Sequence, residues 1–193
     1  MRPDRCTDEV FERLLRRSDA EWEAFSQRRP AFQRFIQADL RLAREALVAA
    51  RDAAGGLGLR FVELGSGVGS IAILADLLGF ESYGIEVDRE LFETSLALAE
   101  EFEAKVELVE GSFVPPEFMD SVEHFDDEFP TPIDGADAFA ELGLQLEDFD
   151  LIYLYPWPGE EEWYAELLER FAGAHAKQLT YSHKDGFELR KIC

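Results

Sequence analysis

Residues 61–88 read FVELGSGVGSIAILADLLGFESYGIEVD. The opening apolar run, 60–64, has the look of a buried strand. It runs into Gly65-Ser66-Gly67-Val68-Gly69, then into a helical stretch from about 69 to 78 that Gly79 stops. A second strand follows at 82–86. Glycines at the end of a strand let the backbone turn tightly and approach a ligand, while the next helix points its N-terminus at the same spot. Working outward, Asp88 is a good N-cap for a helix to about 104. Strands are predicted at 106–110, 149–154 and 177–181, with a helix over 160–171 and a last strand over 187–192. This βαβ order predicts an α/β fold, a doubly wound and mostly parallel sheet with right-handed crossovers. About a dozen residues remain after the fifth strand, so five parallel strands plus one short edge strand are expected, a C-terminally shortened version of such folds. An exposed edge strand invites a homodimer.

Residues 1–59 precede this alternation and are predicted to form an N-terminal helical cap. One amphipathic helix covers 8–17, and Ser18-Asp19-Ala20-Glu21 reads as a capping box starting a second, with Trp22 and Phe25. Arg29-Pro30 interrupts it. A longer helix with Phe32, Phe35, Ile36, Leu40, Ala43, Leu47 and Ala50 at i, i+3/i+4 spacing then runs to the glycines at 55–58. These helices either pack on the sheet or also cover a ligand pocket. Residues 60–193 form the second unit, carrying an insertion at 114–148 with eleven acids and no Lys or Arg. A short helix is expected at 137–142, and loops of this length are uncommon unless functional or mobile.

With 193 residues, 47% of them apolar, the chain suits one globular domain. No apolar run approaches the roughly 20 residues of a bilayer span, and the N-terminus shows no apolar leader segment, so a cytoplasmic, membrane-free protein is expected. Cys6 and Cys193 lie near the two ends and leave one disulfide open. The three histidines are scattered, and no spacing suggests a metal site. The net charge of −22 is unevenly placed: 12 Arg meet 10 acids in residues 1–60, whereas 7 Lys plus Arg meet 31 acids beyond them. An acidic body disfavours nucleic acid, whose affinity rests on Lys and Arg displacing counterions.

The glycine turn also discriminates between ligands. A dinucleotide fingerprint, G-x-G-x-x-G/A counted from Gly65, places its third glycine at Ser70. The pattern is instead E-x-G-x-G-x-G. An acid at Glu63 opposes the pyrophosphate of NAD but suits the ammonium group of S-adenosylmethionine. Glu86 ends the next strand 19 positions after Gly67, where such folds set a carboxylate on ribose hydroxyls. Ser112 and Phe113, just past the third strand, lie where an adenine is bordered and stacked.

Residues 61–113 resemble the cofactor half of class I S-adenosylmethionine-dependent methyltransferases. ELGSGVG resembles their first motif, YGIEVD the second and VELVEGSF the third. The resemblance implies a Rossmann-like methyltransferase fold, S-adenosyl-L-methionine as cofactor and S-adenosyl-L-homocysteine as product. It further implies that Glu63, Gly65, Ser66, Gly67 and Gly69 line the methionine end, that Glu86 and Val87 sit at the ribose, and that Ser112 and Phe113 neighbour adenine. The family most often has Asp where Ser112 stands.

In open α/β sheets ligands bind beyond the carboxyl ends of the strands, which points to Tyr155-Pro156-Trp157-Pro158 after the fourth strand. This stretch is only loosely similar to the Asn/Asp-Pro-Pro-Tyr motif of amino-group methyltransferases. Tyr155 and Trp157 could flank a sulfonium or an ammonium acceptor with their ring faces. An amine must lose a proton before attack, and Glu160, Glu161 and His183 are the candidate bases, with helix N-terminal or turn roles as the alternative. The acceptor is expected to be an amine of a small molecule or a protein side chain. The competing reading is a non-catalytic nucleoside-binding interaction module.

Overall fold

The computed structural model describes residues 2–28, 37–55, 58–122, 131–182 and 184–192. It carries seven α-helices and six strands among them: α1 (Asp8–Arg28), α2 (Leu40–Ala53), β1 (Arg60–Leu64), α3 (Ser70–Leu77), β2 (Glu81–Glu86), α4 (Arg89–Glu101), β3 (Glu107–Glu110), α5 (Pro116–Val122), α6 (Ala138–Leu142), β4 (Leu151–Leu154), α7 (Glu161–Phe171), β5 (Lys177–Ser182) and β6 (Gly186–Lys191). The strands form one sheet in the order β3-β2-β1-β4-β5-β6. All neighbours are parallel except β5 and β6, which pair antiparallel from Lys177↔Lys191 to Ser182↔Gly186. The doubly wound, mostly parallel sheet read from the sequence is therefore present. Its switch point, where the strand order reverses, lies between β1 and β4, the crevice in which such sheets bind ligands.

Alternation along each strand distributes two cores. Phe61 on β1, Leu151 and Tyr153 on β4, and Leu179 and Tyr181 on β5 face α1, α2, α3 and part of α4. Val62, Leu64, Ile152 and Leu154 face α5, α6 and α7. Burying each large side chain of this kind contributes about 1.5–3 kcal/mol, so the central strands, buried on both faces, anchor the fold. Helices α1 and α2 share the first core with the sheet: Phe11, Leu14, Ala43 and Leu47 belong to one cluster with Phe61 and Leu74.

Two expectations for the N-terminal region need correction. A helix start at Ser18 is not found; α1 runs unbroken through it. The apolar stripe explains this, since Phe11, Leu14, Ser18 and Phe25 follow one helical face. Ser18 is fully buried and pairs with Ser70 Oγ at 2.8 Å, so its hydroxyl is unavailable as a cap. The long helix expected from Phe32 begins instead at Leu40, where the Asp39 carboxylate accepts from the N–H groups of Arg41 and Leu42. Phe32, Phe35 and Ile36 lie outside the described residues, as do Arg29-Pro30 and Cys193.

The insertion holds more structure than a loop. The short helix expected near 137–142 is α6, capped by Asp137. Helix α5, with Pro116 at its first position, was not anticipated; it buries Phe118 edge-on against Phe171, ring centroids 5.8 Å apart. Among the described residues no helix is long and apolar enough to cross a membrane.

Candidate functional site

The turn after β1 is tied to the end of β2 before any ligand enters. Gly65 and Ser66 both donate backbone N–H bonds to the Ile85 carbonyl, at 3.0 and 2.8 Å. Gly67 N–H donates to Glu86 Oε2 at 2.6 Å, and Asp88 N–H to Glu86 Oε1 at 2.8 Å. Gly65 has φ +74°, a left-handed conformation that disfavours side chains. Gly84 is needed for another reason: a Cβ there would come within 2.8 Å of Leu108 Cδ2 and 3.2 Å of Ser66. A glycine in β2 thus lets the turn settle onto the sheet.

Glu63, one residue before β1 ends, points to the α3 face of the sheet. Its Oε2 accepts the Ala72 N–H at 2.8 Å, an open donor in the first turn of α3. Burial pushes this carboxyl well above its usual range, only partly opposed by the Ala72 bond, and the nearby Glu86 charge adds to the rise. Burial likewise raises Glu86, opposed by its bonds from Asp88 and Gly67. Two buried carboxylates with no cation among their hydrogen-bond partners therefore sit beside one turn.

These groups open on a cavity of about 510 Å³. Its first wall is Glu63, Gly65, Ser66, Gly67, Glu86 and Val87, with Phe113 alongside. Phe113 is held by ring stacking on Trp163 and Tyr164, at 6.2 and 5.9 Å. After β4 and β5 the lining continues through Tyr153, Tyr155, Trp157 and Tyr181, with Pro156 and Pro158, and Tyr153 is the register partner of Glu63 on β1. The Tyr155 and Tyr181 rings meet edge to face at 5.1 Å and 87°. Gln37, Ala38 and Leu40 close the cavity from the start of α2, and Lys184 lies at its margin. Helix α2 therefore both packs on the sheet and borders the pocket, through Leu40. Helix α1 supports the floor indirectly: Phe25 clusters with Val68 and Leu91, both of which line the cavity.

Ten of the fourteen residues singled out from the sequence thus line one cavity. Gly69, Ser112 and Glu160 do not. Gly69 caps α3 in a left-handed conformation, and the place of its missing Cβ is 3.0 Å from Ser95 on α4, so it serves helix packing. Ser112 is bound into the insertion. Its N–H donates to the Ala136 carbonyl, its own carbonyl accepts from Ala138, and its hydroxyl accepts from Val114 N–H. Glu160 is 1% exposed, and its carboxylate accepts from Thr131 N–H, Thr131 Oγ1 and Trp157 N–H. Those bonds occupy both of its oxygens, and Glu160 is not among the residues that line the cavity. His183 lies outside the described residues. Glu161 reaches the lining, with Oε2 also accepting from Gly159 N–H at 2.8 Å.

The sequence reading missed Tyr153, Tyr164, Tyr181, Thr131, Gln37 and Lys184. A signal existed for Tyr153, two residues before Tyr155 in the same run; Tyr181 became visible only in the folded sheet. Parallel register sets Tyr153 opposite Leu179 and Leu154 opposite Thr180, which brings Tyr155 beside Tyr181 one step beyond. Thr131 and Gln37 arrive through long connections, for which the sequence carries no register.

Among the described residues no cluster of three or more His, Cys, Asp or Glu could hold a metal ion. The polar groups on the lining suit a ligand that brings a positive charge and a hydrogen-bond partner. Ser66 Oγ is buried on the cavity wall with no hydrogen-bond partner among the described residues, and two desolvated carboxylates favour a nearby positive charge.

No family model matches the chain, and no curated protein matches it. Solved structures do. A Salinibacter ruber RNA methyltransferase in complex with S-adenosyl-L-homocysteine is 18% identical over 75% of this chain and 76% of its own, with TM-score 0.52. A methyltransferase from Geobacter sulfurreducens is 14% identical over 83% and 70%, also with TM-score 0.52. A Pyrococcus horikoshii protein is 16% identical over 82% of this chain, TM-score 0.51, and the chain spans only 65% of that neighbour's length. Identities this low speak to architecture, and they agree with the 3-2-1-4-5-6 strand order: the chain has the Rossmann-like fold of class I S-adenosylmethionine-dependent methyltransferases.

Proposed function

We propose that the chain is an S-adenosylmethionine-dependent methyltransferase that acts on an amine of a small molecule or protein side chain. The observation that carries this reading is one cavity joining the glycine turn and its two buried carboxylates to an aromatic wall after β4. The cofactor supplies, when bound, a methyl group already activated on a sulfonium. Glu86 offers its carboxylate to ribose hydroxyls while holding the turn through Gly67. Glu63 faces the positive methionine arm, where a dinucleotide's pyrophosphate would meet like charge. Phe113 offers a ring face for adenine.

On the other wall, Tyr155, Trp157 and Tyr181 present rings to a cation, an attraction worth about 0.5–2 kcal/mol per contact. Their main task is alignment and exclusion of water, since the methyl needs no further activation by the protein. Glu161 is the described carboxylate on the lining that is free to take a proton from an ammonium acceptor through its second oxygen.

Calorimetry with S-adenosylmethionine, S-adenosylhomocysteine and NAD tests the cofactor. Binding of the first two and not the third is expected, and tight binding of NAD alone overturns the proposal. Methyl transfer from labelled S-adenosylmethionine to panels of amines, phenols and carboxylates tests the acceptor. Turnover confined to the anionic panel overturns the amine assignment. Binding with no transfer to any panel or cell extract favours the non-catalytic module instead.

A further inference from the structure

The buried carboxylate of Glu160 has three bonds and no place in the chemistry above. It accepts from Thr131 N–H at 3.0 Å, Thr131 Oγ1 at 2.7 Å and Trp157 N–H at 3.1 Å. Its two partners lie 26 positions apart in the chain, and both line the cavity. Thr131 belongs to the return of the acidic insertion and lines the cavity together with Tyr164, the ring stacked on Phe113. Trp157 belongs to the aromatic wall. We infer that Glu160 is a positioning residue: it clamps the insertion's return to the Pro-Trp-Pro turn and so fixes how these two lining segments meet at the cavity.

The physical argument is one of satisfaction. Residues 155–158 and 131–132 are connecting segments that no ladder bond orders, and proline removes donors at 132, 156 and 158. Segments of this kind hold one conformation only when their remaining backbone groups find fixed partners. One charged acceptor serving two backbone N–H groups and a hydroxyl does this more strongly than neutral partners. Its position immediately before α7 places the carboxylate on a rigid element, so both segments are referenced to the helix.

The inference rests on the methyltransferase reading only for its ligand; the clamp itself is read without one. Amide hydrogen exchange in the ligand-free protein reports it directly. In Glu160→Ala the amides of Thr131 and Trp157 are expected to exchange together, faster by about tenfold or more, while those of Val62 and Leu64 on β1 stay as in the wild type. Calorimetric affinity for S-adenosylhomocysteine is expected to fall about tenfold in the same variant. Glu160→Gln keeps the shape but replaces one of the two accepting oxygens with an NH2 donor, so it gives a partial loss, smaller than that of Glu160→Ala. Thr131→Val removes one bond without touching the helix and gives an intermediate loss; combined with Glu160→Ala it adds nothing, because the two act through one network.

Unchanged exchange at Thr131 and Trp157 in Glu160→Ala overturns the clamp. Faster exchange with unchanged affinity overturns its positioning role. Should Glu160→Ala fail to fold, the Gln and Val variants carry the same two readouts, and unchanged exchange and affinity in both also overturn the role. Absence of S-adenosylhomocysteine binding in the wild type overturns the methyltransferase reading and the positioning role, while the exchange result still decides the clamp.

Discussion

The two walls of the cavity are built by different means. The wall after β1 and β2 is made mostly of backbone: Gly65, Ser66 and Gly67 are fixed by bonds to Ile85 and Glu86, residues close to them across a single strand pair. The wall after β4 and β5 is made of rings, set by strand register and by a clamp between distant segments. On the proposed reading, the first arrangement holds the nucleoside and positive arm of the cofactor. The second presents mainly side chains, the rings of Tyr153, Tyr155, Trp157 and Tyr181. The difference separates what the fold supplies from what this chain adds, and each wall therefore answers to its own substitutions.

The largest effect is expected on the backbone wall. Glu86→Ala removes the acceptor for Gly67 and Asp88 N–H groups and, on the proposed reading, the ribose contact. S-adenosylhomocysteine affinity should fall about 10- to 100-fold, measured by calorimetry, and an unchanged affinity breaks the assignment of that wall. On the ring wall, Tyr155→Ala should lower kcat/KM for an amine acceptor about tenfold while S-adenosylhomocysteine affinity stays within about threefold. Tyr155→Phe, which keeps the ring, should restore most of the loss. Equal losses of affinity in Glu86→Ala and Tyr155→Ala would mean that the walls do not act separately. Smaller again, Ser18→Ala leaves Ser70 Oγ without its buried partner beneath the turn. A cost of about 1 kcal/mol is expected, read as about 2–4 °C in Tm.

Legibility in the sequence followed the same division. The strand ends and the glycine turn were readable because their causes are local: alternation, positive-φ glycines, and an N-cap at Asp88 whose carboxylate does accept from Glu90 and Leu91 N–H groups. Tyr155 and Trp157 were readable from their place after the fourth strand. Tyr181 was not, because its role depends on which strand lies beside β4. Ser18 misled for a related reason: S-x-x-E describes a cap only when the serine is at a free helix start, and here a buried partner 52 positions away takes the hydroxyl. Glu160 misled because an acid at the start of a helix reads as solvated, whereas the return of the insertion covers it.

The smallest effect sharpens the comparison most, because it sets stability against binding at one side chain. Glu63 is buried with its carboxyl raised well above the usual range, mainly by desolvation. A raised folded-state value means that its favourable contribution is complete below the unfolded value of about 4.3 and is lost as pH rises through the folded one. Glu63→Gln removes the charge but can still accept from Ala72 N–H, so the ligand-free variant should melt roughly 2 °C higher than wild type near pH 8. That gain should shrink toward pH 4, where the wild-type carboxyl is itself neutral. Glu86 is shifted in the same direction, so some acid stabilisation should remain in the variant. A positively charged ligand beside Glu63 favours the ionised form, so wild-type affinity for S-adenosylmethionine should rise with pH through the folded value of Glu63, with proton release on binding. Calorimetry in buffers of different ionisation enthalpy reads that release. Its persistence at full size in Glu63→Gln would assign the proton to Glu86 and move the positive arm of the ligand to the other carboxylate.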